Sequence, residues 1–319
     1  MICVGSCNNW LVSLQKDYSK KIQAIITSPP YWGLRDYGID AVDWNDGWQG
    51  NLGDEDTPEE FIEHLCTLFD KAYHLLKDDG TIWVNIGDTY FGAKGGHWDG
   101  GNSITSDATG ENYRIHRNAP PKHKYIKVKD LTGIPWKFAF AMQKRGWYLR
   151  QDIIWHKPNP MPEAVTDRCV KSHEYIFLFS KQSKYYFDHE AIQERATYAG
   201  TSRGNGVRYE QDSESLSARY DMRNKRSVWS INLKPSRDAH FAVYPKELPM
   251  LCIQASTKKG DIVLDPFGGS GTTGIVAEAL GRKYILIEIN KEYIEVMKKR
   301  LTIHQQDLFG GKDDKILYS

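Results

Sequence analysis

Thr27-Ser28-Pro29-Pro30-Tyr31 puts a hydroxyl, a proline-locked backbone and an aromatic ring into five consecutive residues. Pro30 holds the preceding residue extended, which leaves the Pro29 carbonyl free of any helical partner. A side-chain acceptor at Ser28 and that carbonyl can together hold both N–H bonds of an amino group on a planar ring and turn its lone pair toward an electrophile. Tyr31 can stack on the same ring. Serine is too weak a base to lead such a step, so Ser28 is an orienting acceptor in a reaction driven by proximity and alignment. Toward the other end of the chain, Asp265-Pro266-Phe267-Gly268-Gly269-Ser270-Gly271-Thr272-Thr273 joins an acid, a glycine turn and a hydroxyl-rich helix start. Without side chains the turn lets a ligand approach the backbone closely. Roughly twenty residues on, an apolar run ends in Glu288, and a carboxylate at a strand's C-terminal edge can accept both hydroxyls of a ribose. No phosphate-binding lysine follows the turn, which disfavours an ATP loop.

The elements that must position these residues are legible around them. Ile22-Gln23-Ala24-Ile25-Ile26 is a short apolar, β-branched run stopped by the Pro-Pro pair, so it reads as a buried strand with the loop at its C-terminal edge. Thr57-Pro58-Glu59-Glu60 is a helix start, with a capping threonine, proline at the first position and acids in the first turn. Phe61, Leu65, Leu68, Phe69, Tyr73 and Leu76 recur at helical spacing, and Asp79-Gly80 reads as the stop. Residues 81–86 then give a strand, so the order is a βαβ unit with parallel strands. Further helices are expected at 134–144, 245–255, 270–280 and 293–301, with strands at 148–155, 175–180, 262–264 and 284–288.

Composition bounds the reading. The chain has 319 residues, 40% hydrophobic and 26% charged, ordinary for a globular protein with one sizeable core. No apolar stretch reaches the length of a membrane span and no signal peptide is evident, so a cytoplasmic protein is expected. Five cysteines, Cys3, Cys7, Cys66, Cys169 and Cys252, are odd in number and scattered, which argues against a disulfide framework. Cys3 and Cys7 lack a matching second pair and read as small hydrophobes, so no metal is expected. Net charge is only +1, yet charge is segregated. Residues 36–60 are acidic without Lys or Arg, whereas 113–129 carry Arg114, Arg117, Lys122, Lys124, Lys127 and Lys129 without an acid. A second stretch holds Arg203, Arg208, Arg219, Arg223, Lys225, Arg226, Lys234 and Arg237. Solvated loops would explain either stretch alone; together they suit a polyanion-binding face.

The Thr27–Tyr31 loop resembles the catalytic loop of enzymes that methylate the exocyclic amine of a DNA base, and the Asp265–Thr273 turn resembles their S-adenosylmethionine loop. Trp155-His156-Lys157-Pro158-Asn159 and His173-Glu174 resemble a later segment of the same enzymes. The order, catalytic loop first, basic segment next and cofactor loop last, is similar to the circularly permuted β class of DNA amino-methyltransferases. That resemblance implies an α/β fold, a doubly wound, mostly parallel seven-stranded methyltransferase sheet of Rossmann-like type. Residues 1–188 would form the catalytic half, with a mobile, basic insertion at 92–129. Residues 189–237 would form the target-recognition region and 238–319 the S-adenosylmethionine half.

Residue by residue, the resemblance gives Ser28, Pro29, Pro30 and Tyr31 the catalytic loop, with Tyr31 and Trp32 as stacking candidates for a flipped base. It gives the cofactor Asp265 facing the methionine ammonium, Phe267 near the adenine and Glu288 on the ribose. Thr27, Gly268, Gly269, Ser270, Gly271, Thr272, His240 and Phe241 complete the pocket. The family's opening strand usually ends in Gly-Asp, whereas here Gly5 precedes Ser6, so adenine recognition at Ser6 departs from the pattern. His156 and His173 have a supporting place near the base or an ordinary place in the core or rim. DNA contacts are expected from Arg114, Arg117, Lys122, Lys124, Arg203, Arg208, Arg223, Lys225 and Arg226. Duplex DNA is the expected partner, with a homodimer and a cognate restriction endonuclease as further expectations. Serine in the first loop position usually accompanies cytosine N4 methylation and aspartate adenine N6, so cytosine is favoured over adenine. Methyltransferases of RNA or protein glutamine, which usually place the cofactor loop first, and a non-catalytic DNA-binding protein are the rival readings.

Overall fold

A computed structural model describes residues 1–33, 39–92, 104–106, 112–114, 123–196, 222–233, 244–309 and 316–318. Among these, nine strands share one sheet: β1 Ile2–Val4, β2 Ile22–Thr27, β3 Leu76–Ile86, β4 Tyr148–His156, β5 His173–Ser180, β6 Val228–Ser230, β7 Ile262–Asp265, β8 Lys283–Glu288 and β9 Ile316–Tyr318. Their spatial order is β6-β4-β5-β3-β2-β7-β8-β1-β9. Only β5 runs antiparallel to its neighbours; the other pairs are parallel. This is the mostly parallel α/β methyltransferase sheet, with the expected seven strands flanked by two more. β6 and β9 have three residues each, too short for a periodic signal, and β6 buries only Trp229 between exposed Val228 and Ser230.

All six residues of β2 are buried because helices cover both faces. Ile22 and Ile25 join the core beneath α1 (Cys7–Ser13), α3 (Pro58–Tyr73) and α4 (Ile134–Lys144), together with Leu11, Phe69 and Phe138. The short α2 (Gln15–Tyr18) precedes β2. Ala24 and Ile26 join the opposite core, with Ile253 of α5 (Glu247–Ser256), Ile275 of α6 (Thr272–Ala279) and Met297 of α7 (Lys291–Phe309). α3 begins as its sequence requires: Thr57 Oγ1 accepts the Glu60 N–H at 3.2 Å and Glu60 Oε2 accepts the Thr57 N–H at 3.1 Å. It does not run to Asp79-Gly80. The helix ends at Tyr73, and Leu76 already pairs with Ile22 in β3, where a register shift takes up the extra residues before Ala24 meets Thr81. Polar partners hold the irregular stretch, Asp78 on Lys20 at 3.0 Å and Lys77 on Asp261 at 2.7 Å.

The chain leaves β2 through α3 toward β3 on one side and leaves β7 through α6 toward β8 on the other. The neighbours β2 and β7 therefore flank the topological switch point, and a doubly wound sheet opens a crevice outside its strand ends there. The Ser28 loop and the Asp265 loop follow those two strands. Residues 228–230, within the stretch expected to form the recognition region, add an edge strand beside β4, with Trp229 opposite Trp155.

Candidate active site

Asp265 ties the two loops together. Its Oδ1 accepts the Thr27 hydroxyl at 2.6 Å across 238 residues of sequence and the Phe267 N–H at 3.0 Å. Its Oδ2 accepts the Thr273 hydroxyl at 2.6 Å, and Thr273 in turn hydrogen-bonds Tyr244. The carboxyl is 1% exposed, and burial pushes it up to about 6 against these three donors. No described cation pairs with it, so a positive charge brought to this crevice would pull it back toward the ionised form.

On the next strand Glu288 closes the glycine turn. Its carboxylate accepts N–H groups from Gly269 at 2.7 Å, Ile289 at 3.0 Å and Asn290 at 2.8 Å, and burial raises its carboxyl above the ordinary value. Half-buried at the strand edge, it keeps acceptor capacity for a ligand hydroxyl. The glycines differ in what demands them. Gly271 has φ +82° and a side chain there would meet Met297 Cγ at 2.7 Å, so packing against α7 requires it. At Gly269 an added Cβ would meet only the Phe267 carbonyl, at 3.9 Å, which leaves a ligand room to approach. The Ser270 and Thr272 hydroxyls face Arg300 of α7. Phe267 is half-buried beside the turn. Ser6 caps α1, its hydroxyl accepting the Asn8 N–H at 3.2 Å, and the Gly5 N–H reaches the Glu288 carbonyl at 2.9 Å. Burial, and after it Glu288, pushes the Cys7 thiol up to about 12, so it is no nucleophile.

On the catalytic side Ser28 and Pro30 are half-buried and Pro29 buried. Among the described residues none hydrogen-bonds the Ser28 hydroxyl. Tyr31 is clamped: its hydroxyl donates to Glu174 Oε2 at 2.6 Å, the same oxygen takes an N–H from Asn85 at 2.9 Å, and Lys157 holds Oε1. Lys157 also lies 4.4 Å above the Trp155 ring. Only a glycine fits at position 87, where an added Cβ would sit 2.6 Å from Tyr31 Cε2. Trp32 is not a stacking platform. It is 4% exposed, donates its indole N–H to the Glu55 carbonyl at 2.8 Å and stacks on Phe91. His156 and His173 face each other across the β4–β5 pair, with His156 on Ser230 at 3.1 Å. Asn85 and Arg300 were missed as contributors because nothing local distinguishes them from ordinary polar residues, whereas Glu174 lies in the His173-Glu174 pair and Thr273 in the glycine-turn motif that the sequence singles out.

The expected DNA contacts divide. Arg223, Lys225 and Arg226 surround one carboxylate, Glu194, at 3.0, 3.5 and 2.6 Å. Lys124 is exposed, whereas Lys127 and Lys129 meet Asp130 and Asp167 at 3.4 and 3.2 Å. Arg114 lies in a hairpin strand, 112–114, paired with 104–106. Arg117, Lys122, Arg203, Arg208, His240, Phe241 and most of the insertion at 92–129 lie outside the described residues. Among the described residues no helix is long and apolar enough to cross a membrane.

A switch-point crevice with a Ser-Pro-Pro-Tyr loop on one strand and a glycine turn on the next is the arrangement of a Rossmann-like methyltransferase. The chain matches the DNA methylase family of N6 and N4 methyltransferases over residues 22–299, and it belongs to that family. It is thus a DNA methyltransferase of the amino-methylating class, a class whose methyl donor is S-adenosylmethionine. The type II methyltransferase M.Cfr9I of Citrobacter freundii is 44% identical over 283 residues, 89% of this chain and 82% of that one. M.SmaI of Serratia marcescens is likewise 44% identical over 283 residues, 89% and 85% of the two chains. Among solved structures, PvuII DNA methyltransferase, described as cytosine-N4-specific, superposes with TM-score 0.61 at 20% identity, covering 99% of this chain and 94% of that one, and so shares the fold.

Proposed function

We propose that this protein transfers a methyl group from S-adenosylmethionine to the N4 amine of a cytosine flipped out of duplex DNA, as the modification enzyme of a restriction–modification system. The observation that carries the reading is the Thr27–Asp265 hydrogen bond. It fixes the amine-holding loop and the glycine turn on adjacent strands of one crevice. Ser28 supplies the preference for cytosine, and the relatives' type II character supplies the biological setting.

The cofactor brings a methyl group on a sulfonium and a cationic ammonium. The residues suit it: a buried carboxyl lacking a cation at Asp265, an open turn at Gly269 and a ribose acceptor at Glu288. Phe267 borders the adenine, and Ser6 contributes through the backbone that it caps. The Ser28 hydroxyl and Pro29 carbonyl accept the two amine N–H bonds, which directs the lone pair along the line of transfer. Tyr31, held by Glu174, stacks on the base and repays part of the few kcal/mol that unstacking costs. The proton leaves the nitrogen with or after methyl transfer, because Ser28 is too weak a base to take it first. Residues 189–237, helped by 92–129, would read the target.

Tritiated S-adenosylmethionine incubated with mixed-sequence duplex DNA, followed by digestion to nucleosides, tests the reading. Label in N4-methylcytosine is the expected result. Label in N6-methyladenine would keep the mechanism and reverse the base, and label on RNA or protein but not DNA would overturn the substrate.

A further inference from the structure

The acidic segment after the catalytic loop is built around one histidine. His64, on α3 and 7% exposed, packs against the adjoining rings of Trp44 and Trp48, with centroids 4.5 and 4.7 Å away and interplanar angles of 26° and 29°, the two indoles being 6.0 Å from each other. Its Nδ1 is 2.9 Å from Glu55 Oε1 and its Nε2 is 2.9 Å from Asp46 Oδ2. Glu55, itself 0% exposed, passes the connection on. Its other carboxylate oxygen accepts the Gly53 N–H at 2.8 Å, and its backbone carbonyl accepts the Trp32 indole N–H at 2.8 Å. The Gly53 carbonyl accepts the Gly33 N–H at 2.8 Å, and a side chain at Gly53, where φ is +105°, would lie 3.1 Å from the Tyr31 carbonyl oxygen. A rigid helix is thereby connected to the residues that follow Tyr31 at two points, the Gly33 N–H through the Glu55 carboxylate and Gly53, and the Trp32 indole through the Glu55 backbone carbonyl.

We infer that His64 is a positioning residue for methyl transfer, fixing through Glu55 the Tyr31–Gly33 stretch of the catalytic loop. The two indoles and two carboxylates leave the ring one orientation, so the Glu55 oxygen that serves Gly53 is fixed as well. A polar cluster serving stability alone would not need to end on the loop that stacks the target base. The inference rests on the activity assigned to the catalytic loop.

The test compares wild-type protein with His64→Ala in the tritium assay on duplex DNA, with urea unfolding and calorimetric S-adenosylmethionine binding on the same samples. Angstrom-scale misplacement of a reacting group can cost up to about hundredfold, so a tenfold or greater fall in kcat is expected, with cofactor Kd unchanged. Millimolar imidazole, which fits the space that the His64 ring vacates beside the indoles, should restore part of the rate. A folded His64→Ala protein with kcat within about twofold of wild type, a loss lying wholly in cofactor Kd, or no recovery with imidazole would overturn the inference. Where His64→Ala does not fold, His64→Gln, which keeps a polar group against the indoles, must show the same loss confined to kcat. Unchanged kcat in that variant overturns it equally. A wild-type sample that labels no DNA would instead refute the assigned activity and take this inference with it.

Discussion

Replacing Asp265 with asparagine should pull apart two properties that usually fall together, stability and cofactor affinity. Burial holds this carboxyl at about 6 against an ordinary value of 3.8. A shift of roughly two units corresponds to about 3 kcal/mol of preference for the protonated form in the folded chain. Because the folded value lies above the unfolded one, the stabilising contribution is fully present below about pH 4 and is lost as pH rises through about 6. Between about pH 5 and about pH 7.5 the wild-type protein should lose about 1.4 kcal/mol that the variant does not lose. Asparagine can still accept from Thr27 and the Phe267 N–H and can donate to Thr273, giving back about 1–2 kcal/mol in weaker, neutral hydrogen bonds. Asp265→Asn should therefore be as stable as wild type near neutrality, or slightly more so. Its affinity for S-adenosylmethionine should fall about ten- to hundredfold, the worth of a hydrogen bond to a charged group. Urea unfolding of the ligand-free proteins across pH, paired with calorimetric titration of the cofactor, measures both quantities. A wild-type-minus-variant stability difference that stays flat with pH, or a variant destabilised by more than about 2 kcal/mol with affinity retained, would refute the reasoning.

Three other perturbations follow from the same geometry. Glu174→Ala frees the Tyr31 hydroxyl held at 2.6 Å, and kcat should fall about tenfold or more with cofactor Kd unchanged, measured by single-turnover transfer. Gly87→Ala drives a methyl group to 2.6 Å from the Tyr31 ring; turnover should drop at least as far, while urea unfolding shows at most about 3 kcal/mol lost to overpacking. Arg226, 66% exposed though its Nε bonds Glu194, keeps its outer nitrogens for a phosphate. Arg226→Ala should reduce the slope of log K against log salt for duplex DNA by about one, and an unchanged slope would mark it as a purely structural latch.

What could be read in the sequence was local or chemically distinctive. The Ile22–Thr27 strand, the Thr57 capping box and the two loops announce themselves through runs, caps and glycine or proline punctuation, and each stands where expected. Leu76 misled because its spacing fits a helix; pairing with Ile22 and a bulge outweighed that pattern. Trp32 adjoins Tyr31 in sequence but the fold turns it inward against Phe91. The clamp on Tyr31 comes from Glu174, 143 residues away, and the anchor of the loop's far side comes from His64. The His173-Glu174 pair was legible as a motif, but neither its grip on Tyr31 nor the His64 contacts were, since both depend on which strands and helices become neighbours. The basic stretch near Arg226 was legible as charge, whereas its convergence on Glu194 was not.

The hydrogen bond from Thr27 to Asp265 spans 238 residues, which sets a timetable for synthesis. At about 5–20 residues per second, roughly 12–48 seconds separate translation of the two partners. Throughout that interval β2, apolar on both faces, lacks the neighbour that covers one of its edges. Closing so long a loop costs chain entropy before the contact rewards it, which makes this pairing a late and slow one. A nascent or truncated polypeptide that ends before residue 265 carries the complete Thr27–Tyr31 loop but none of the glycine turn that it is tied to. On the function proposed above, methyl transfer therefore waits until the Asp265 turn has been made.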